Sequence, residues 1–544
     1  MNRSGFLQTA FMLGLIIGMV LPLQAAAPAV VVSLKSIEEI LDDADFIGSN
    51  VGQEGLKEVA EQNIKALTGG AGLSGVDREK TLGLYWNLVE SEPDNMGTVV
   101  VFLPISDEDE FKDLLKKLAP DLKDDDGQWS LTVQGLPLFA KFANDYCYIS
   151  TAKEGLTDLS DPAKIANTEY DIAFDLNLSS IPQQAKDTYL GVAEQGARQG
   201  LQEQPEPEND AEAVGRKLGF DGMLGTIKSV VNDGDKLTFG LDVDSESRVI
   251  GLDLGLTGKP KTPLAHALAI YGKTTPTFAA VTSDDAPLQL IMTLPTTGLF
   301  KEYDELIEGM RKTADAEIDK DPKLEDDADR KAAKDVTNRL FNIAQATVKT
   351  GSLSAVIVFE QGDEDTVRVI GGAKVAKGDD AGKLLDDILK LSKESPDLAK
   401  IKPDVAKHAG ARIHAITPDL NDKQTAMFGS DPSHLAIRTD SLWLSLGGGN
   451  LEALKKALDQ SGKKAANSEP PISLRVKPAT LVTLIEQDDQ ALIERAEALA
   501  GESGDVLNVK LAPKGTTGID FHLDFGIDLI NLFNADIQRA PAVQ

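Results

Sequence analysis

Three of the five histidines, His408, His414 and His434, fall between positions 408 and 434. Imidazoles gathered in this way could hold zinc or copper. His408 and His414 are an even number of residues apart, so on one strand they would share a face, and His434 on a neighbouring strand would supply a third nitrogen. The surroundings argue the other way. Lys407-His408-Ala409-Gly410 reads as a turn, the comparable strands around Trp129 carry no histidine, and there is neither an HExxH pattern nor a cysteine partner. The expectation is ordinary surface or half-buried histidines, with no metal and no cofactor; these three are the only candidates.

Other reactive patterns are weaker. Gly447-Gly448-Gly449, between the strand-like WLSL and the helix-like NLEALKKAL, fits neither GxGxxG nor GxxxxGK followed by Ser or Thr, so it reads as a tight turn with Asn450 as helix N-cap. No GxSxG elbow occurs, and SxxK spacings lack their companion motifs. Cys147, the only cysteine, sits in the strand-like DYCYIS with no histidine nearby in sequence, which predicts a buried, inert thiol. DKDPKLEDD lacks the glycine of a calcium loop and carries lysine where an oxygen ligand belongs. Paired carboxylates are too common here to single any out. No catalytic residue is named.

The elements that would position such residues must be numerous. At 544 residues the chain exceeds what one core serves, roughly 250 to 300 residues, so two or more domains are expected. Its 42% hydrophobic and 26% charged residues suit a packed protein. The formal charge of −32 would repel nucleic acid and anionic membrane surfaces, and clusters such as DEDE and DDD read as solvated faces. Arg3, the apolar stretch Ala10 to Leu23 and Ala25-Ala26-Ala27 follow the grammar of a secretory signal. The apolar stretch is shorter than the roughly 20 residues a membrane-spanning helix needs. Cleavage after Ala25 is expected, leaving a soluble periplasmic or extracellular protein with no transmembrane segment. With one cysteine it has no intramolecular disulfide and must be held by burial alone.

Alternating apolar residues mark a hairpin, LGLYWNLV and TVVVFLPI, then a helix capped by Ser106 with Phe111, Leu114, Leu115 and Leu118 in one stripe, then the short strands WSLTV, PLFAKF and YCYIS. LSAVIVFEQ, TVRVIGGAKV, a helix with Leu384, Leu385, Ile388 and Leu389, and ARIHAI, HLAIR and LWLSL repeat that order in the second half. Strands running directly into helices recur at VVVSLKSIEEIL, IAFDLNLSSIPQQA, LQLIMTLPTTGLFKEYDEL and ISLRVKPATLVTLIEQ, two in each half. The predicted fold class is α+β, internally duplicated, with two lobes each holding a mostly antiparallel sheet of hairpins and meander covered by helices on one face. The expected domains are 1–25 signal peptide, 26–270 first repeat unit, and 271–544 second repeat unit with a C-terminal tail. Gln199 to Gly215 should be a polar excursion, and Ala314 to Asp335 a solvated link between helices. Trp86, Trp129 and Trp443 should pack on strands, although an aromatic on an open sheet face could meet an apolar or sugar ligand.

The stretches GLYWNLVESEPDNMGTVVVFLPISDEDEFKDLL and LPLFAKFANDYCYIS resemble exported, signal-peptide-bearing proteins of planctomycete-type bacteria that share a domain of unknown function. The resemblance covers most of the mature chain. It implies export and architecture; that family has no assigned activity, so no functional residue is carried over. The sequence reads best as a non-catalytic exported module that holds an apolar small molecule or a cell-envelope protein on a concave sheet surface. The alternative is a secreted hydrolase with an unrecognised active site.

Overall fold

The computed structural model describes residues 27–533 apart from 89–96, 134, 203–209, 282, 284–285, 299, 323, 325, 364–365, 392–399, 464–468 and 487. The expected signal segment and most of the turn ESEPDNMG lie outside the described residues. The chain forms two compact units. One comprises the residues up to Gly196, Lys228–His266 and Asp524–Asn531; the other comprises Ala197–Ile227, Ala267–Leu523 and the residues from Leu532 on.

β-branched and aromatic runs make the strands of the first unit, all paired antiparallel. Lys123–Asp125 pairs with Gln128–Val133, that strand with Leu136–Ala143, and that with Tyr146–Ser150. The ladder continues through Thr98–Pro104, Leu82–Asn87, Val30–Leu34, Ile172–Asn177, Gly234–Asp244 and Val249–Gly258.

In the second unit the ladder begins at Ile401–His408 and continues through Ala411–Ile416, Ser433–Arg438, Ser441–Leu446, Val367–Lys374 and Ser352–Gln361. It then passes Leu288–Pro295, Ile472–Val476, Leu507–Lys514 and Gly518–Gly526. Numbered from the first strand of its own unit, each strand has the same neighbours in both units. The protein is thus α+β with extensive antiparallel sheet.

All four strand-into-helix passages are present: Val30–Leu34 into Ile37–Asn50, Ile172–Asn177 towards Gln183–Gln202, Leu288–Pro295 towards Phe300–Lys320, and Ile472–Val476 into Pro478–Ile485. Local chemistry explains the sharp starts. Ser36 accepts from the Glu39 amide at 3.0 Å, and Pro478 stands in the first turn of its helix, where its missing N–H costs nothing.

Packed elements lie on both sheet faces rather than one. In the first unit the helix Glu108–Leu118 buries Phe111, Leu114 and Leu115 against Leu138, Ala140 and Cys147 on one face; Tyr85, Phe102 and Tyr148 bury with Leu156 on the other. In the second, Trp443 is buried with Phe278, Leu454 and Leu458, while a side chain at Gly382 of the helix Gly378–Leu391 would touch Ile437 on the opposite face. The run YCYIS is apolar at nearly every position and buries Cys147 on one side and Tyr148 on the other.

Other expectations need correction. Asp107, not Ser106, caps the helix Glu108–Leu118, accepting from the amides of Asp109 and Glu110 at 3.0 Å each; a carboxylate there also meets the positive end of the helix. Leu118 is exposed at the end of that helix and leaves the buried stripe. The helices Phe300–Lys320 and Asp327–Val348 take up most of the expected link, because its Ala, Glu, Lys and Asp residues include strong helix formers; Lys334 Nζ ties the two at 2.7 Å from Asp319 Oδ2. Helices ending at Gln202 and starting at Asp210 likewise run into the expected excursion, whose residues 203–209 lie outside the described set.

Candidate functional site

The structure does not bring the three histidines together as ligands. His408 ends the strand Ile401–His408 and pairs with Ala411 across a turn in which Ala409 and Gly410 both have positive φ, and its Nε2 lies 2.9 Å from Asp459 Oδ1. His414 pairs with Leu435, whereas His434 pairs with Ala415, which places those two histidines on opposite faces of the sheet. His414 is fully buried, its Nδ1 accepts from the Asp404 amide at 3.2 Å, and burial pulls its pKa down, so it is a neutral structural imidazole.

His434 belongs to a buried network around Asn450. Asn450 Nδ2 donates to the carbonyls of Pro432 at 3.0 Å and Gly447 at 2.5 Å, so its Oδ1 is the atom that receives Ser445 Oγ at 2.9 Å and His434 Nδ1 at 2.5 Å. Serine, histidine and asparagine are thus adjacent. The Ser445 hydroxyl is nevertheless directed to the amide oxygen, not to the imidazole, so this is not the relay of a hydrolase. Gly449, in the left-handed region at φ 68°, is the N-cap of the helix Asn450–Ser461, and the expected cap Asn450 turns inward instead.

The same contacts close the question of the triple glycine. A side chain at Gly447 would come 2.1 Å from the Val367 carbonyl oxygen. The Gly448 amide donates to Thr366 Oγ1 at 3.2 Å and the Gly449 amide to Asp431 Oδ2 at 3.3 Å. With a carboxylate already at the helix start, the amides are occupied and the loop offers no phosphate cradle.

The first unit holds ionisable groups that sequence reading missed. Asp171, 1% exposed, receives Lys35 Nζ at 3.0 Å and the Val243 amide at 2.7 Å. Nearby, burial and then the Asp171 and Glu39 charges push the Asp43 carboxyl up to about 7. Burial and Asp171 also raise Asp242, while the hydrogen bond to Asp171 holds Lys35 above its ordinary value. Only alternation of aspartate with apolar residues in YDIAFDL hints at this in sequence. Cys147 is fully buried and its thiol is pushed up to about 12 by that burial, so no thiolate forms.

Cross-strand registers reveal a broader feature. On one face of the first unit Val101, Leu84, Val32, Phe174, Phe239 and Leu254 form an unbroken row of partners across six strands. Trp86, Val30, Leu176, Leu237 and Leu256 make a second row, and Leu82, Leu34, Ile172, Leu241 and Leu252 a third. Every one of these side chains is half-buried or exposed, Phe239 at 40% and Leu254 at 43%. The second unit has the counterpart Leu435, Leu444, Gly371, Ile357, Leu290, Leu474 and Val509, with Leu444 52% and Ile357 37% exposed. Of the tryptophans, Trp443 is buried, Trp129 packs edge-on against Phe142 at 6.4 Å under Lys112, and Trp86 stands in the half-open rows.

Comparison with protein-family models, with curated proteins and with solved structures gives no match. Among the described residues no helix is long and apolar enough to cross a membrane, and no group of histidine, cysteine, aspartate and glutamate side chains is arranged to hold a metal ion.

Proposed function

We propose that this chain is an exported, non-catalytic binding protein that holds an apolar ligand, of the size of a lipid acyl chain, on the open rows of its sheets. The observation that supports this reading is the lateral continuity of those rows. Scattered surface leucines mean little, but contiguous apolar surface beyond a few hundred Å² on a soluble protein marks a ligand or partner site. Acyl chains need no polar partner and match a surface built of Leu, Val and Phe. In this reading the two units arose by duplication, supported by their shared strand order, and form two lobes. Residues 1–25 direct export to the periplasm or beyond, and the resemblance to exported planctomycete-type proteins is consistent with that. Native mass spectrometry of protein purified from its own compartment, followed by denaturing extraction, tests the proposal: a stoichiometric acyl-bearing molecule is expected, and a bare polypeptide that also takes up no added fatty acid overturns it.

One observation favours the alternative of a secreted hydrolase. Asp43 titrates near neutrality beside Asp171 and Asp242, which is the property a general acid requires. Hydrolysis of ester or glycoside substrates that Asp43→Asn abolishes would establish that reading.

A further inference from the structure

A different feature, which does not depend on apolar ligand binding, lies in the second unit at His414. Between the strands Ile401–His408 and Ala411–Ile416 the register jumps from Lys402 opposite Ala415 to Ala406 opposite Ile413. Pro403, Asp404 and Val405 therefore stand against His414 alone, an arch of three residues over one. Asp404 holds the left-handed backbone at φ 53°, uncommon outside glycine, and its amide donates to His414 Nδ1 at 3.2 Å. Val405 on the arch is 44% exposed, whereas His414 is fully buried. The two ends of the strand are tied separately. At one, Lys400 Nζ lies 3.1 Å from Asp419 Oδ2 and the Lys400 carbonyl accepts from the Thr417 amide at 3.0 Å; at the other, His408 Nε2 lies 2.9 Å from Asp459 Oδ1.

This site accepts a neutral imidazole and has no place for a charged one. Nδ1 accepts from an N–H, so the ring proton is on Nε2, which is buried with no hydrogen-bond partner among the described residues. An imidazolium donates from both nitrogens: its Nδ1–H would confront the Asp404 N–H, and its Nε2–H would still find no acceptor. The neighbouring carboxylates are already engaged. Arg412 holds Asp404 through Nε and Nη2 at 2.8 and 3.0 Å, and Asp386 of the helix Gly378–Leu391 through Nη1 and Nη2 at 3.0 and 2.8 Å. Across the sheet His414 faces Leu435, which carries no charge.

We infer that residues 403–405 form an acid-opened arch: a proton on His414 breaks its contact with the Asp404 amide, the arch lifts, and the imidazolium meets water while both strand ends stay attached. A charged His408 would hold its own end to Asp459 more firmly, which confines the opening to the arch. In the opened state His414 binds a proton near the ordinary imidazole value of about 6.5, whereas burial holds the closed state lower. Closure is therefore at full strength above about 6.5 and weakens as the pH falls below it.

Amide hydrogen exchange of the full chain at pH 7.5 and pH 5.0, corrected for intrinsic exchange rates and read by peptide mass spectrometry, tests this. Protection of peptides covering Lys402 to Lys407 is expected to fall at least ~10-fold at the lower pH, towards the ~30-fold that complete exclusion of the proton from the closed state gives. The central strand Ser352–Gln361 should keep its protection. His414→Asn places an amide oxygen where Nδ1 stood, keeps an acceptor for the Asp404 amide and does not titrate, so its arch should be equally protected at both pH values. Protection of the wild-type arch that is unchanged between the two pH values overturns the inference. So does an equal fall in His414→Asn, or a fall shared by Ser352–Gln361, which would report unfolding of the whole unit.

Discussion

Phe239 and Leu254 stand directly opposite each other on paired strands, and both are exposed, at 40% and 43%. A cross-strand aromatic–aliphatic pair contributes only about 0.2 to 1 kcal/mol. Under the proposed function this pair contacts the apolar ligand rather than stabilising the sheet. The double variant Phe239→Gln with Leu254→Gln should therefore unfold within about 1 to 2 kcal/mol of the parent in urea, while its affinity for a long-chain fatty acid, followed by calorimetric titration, falls at least ~10-fold. Unchanged affinity would remove this strand pair from the site.

Asn450 should behave oppositely, as a residue of pure architecture. Its side chain is bonded to Ser445, His434 and the carbonyls of Pro432 and Gly447, all close to a buried strand-to-helix turn. Asn450→Ala leaves several of these without a partner, at a cost of about 2 to 4 kcal/mol. Chemical denaturation checks this, and a loss under 1 kcal/mol would mean that water replaces the amide.

Gly372 lies beneath the Trp443 indole, and a Cβ there would approach the ring to 2.6 Å. Trp443 in turn packs edge-on against Phe278 at 5.1 Å. The ring has no room to retreat, so Gly372→Ala should destabilise by about 1 to 3 kcal/mol and shift the tryptophan emission of the second unit. An unperturbed melting temperature would show that the sheet yields there.

Much of this architecture was legible in the sequence because strands and helices announce themselves by period. The passages VVVSLKSIEEIL and ISLRVKPATLVTLIEQ gave both element types and their junctions, since β-branched alternation stops where a serine or proline opens the helix. Helices covering both faces were not foreseen. A strand such as YCYIS looks alike whether its second side is buried or open, and only register tells Tyr148 from Cys147. The candidate sites were less legible still. Asp43, Asp171 and Asp242 lie far apart in sequence and are brought together by a fold that no short motif encodes. The histidine grouping misled because proximity in sequence carries no facing: one step of register puts His414 and His434 on opposite sides.

Asp43 carries a pH signature of definite sign. Its carboxyl is pushed up to about 7, so between the ordinary aspartate value near 4 and pH 7 the folded chain holds a proton that the unfolded chain has released. The contribution is fully present below about 4 and is lost as pH rises through 7. Asp43→Asn removes this loss. The stability of the variant relative to wild type should rise between pH 4 and 8, by on the order of 2 kcal/mol after allowance for partial solvent screening. Paired denaturation curves across that range give the answer, and a flat difference would mean that Asp43 is ionised throughout.

The most direct measurement of the central proposal uses a photoactivatable fatty acid, irradiated with the full-length protein and mapped by peptide mass spectrometry. Adducts are predicted on peptides spanning Gly234–Asp244, Val249–Gly258, Ser352–Gln361 and Ser441–Leu446, suppressed by excess unlabelled fatty acid. Adducts spread evenly over the surface, or confined to helices such as Asp327–Val348, would contradict binding on the sheets.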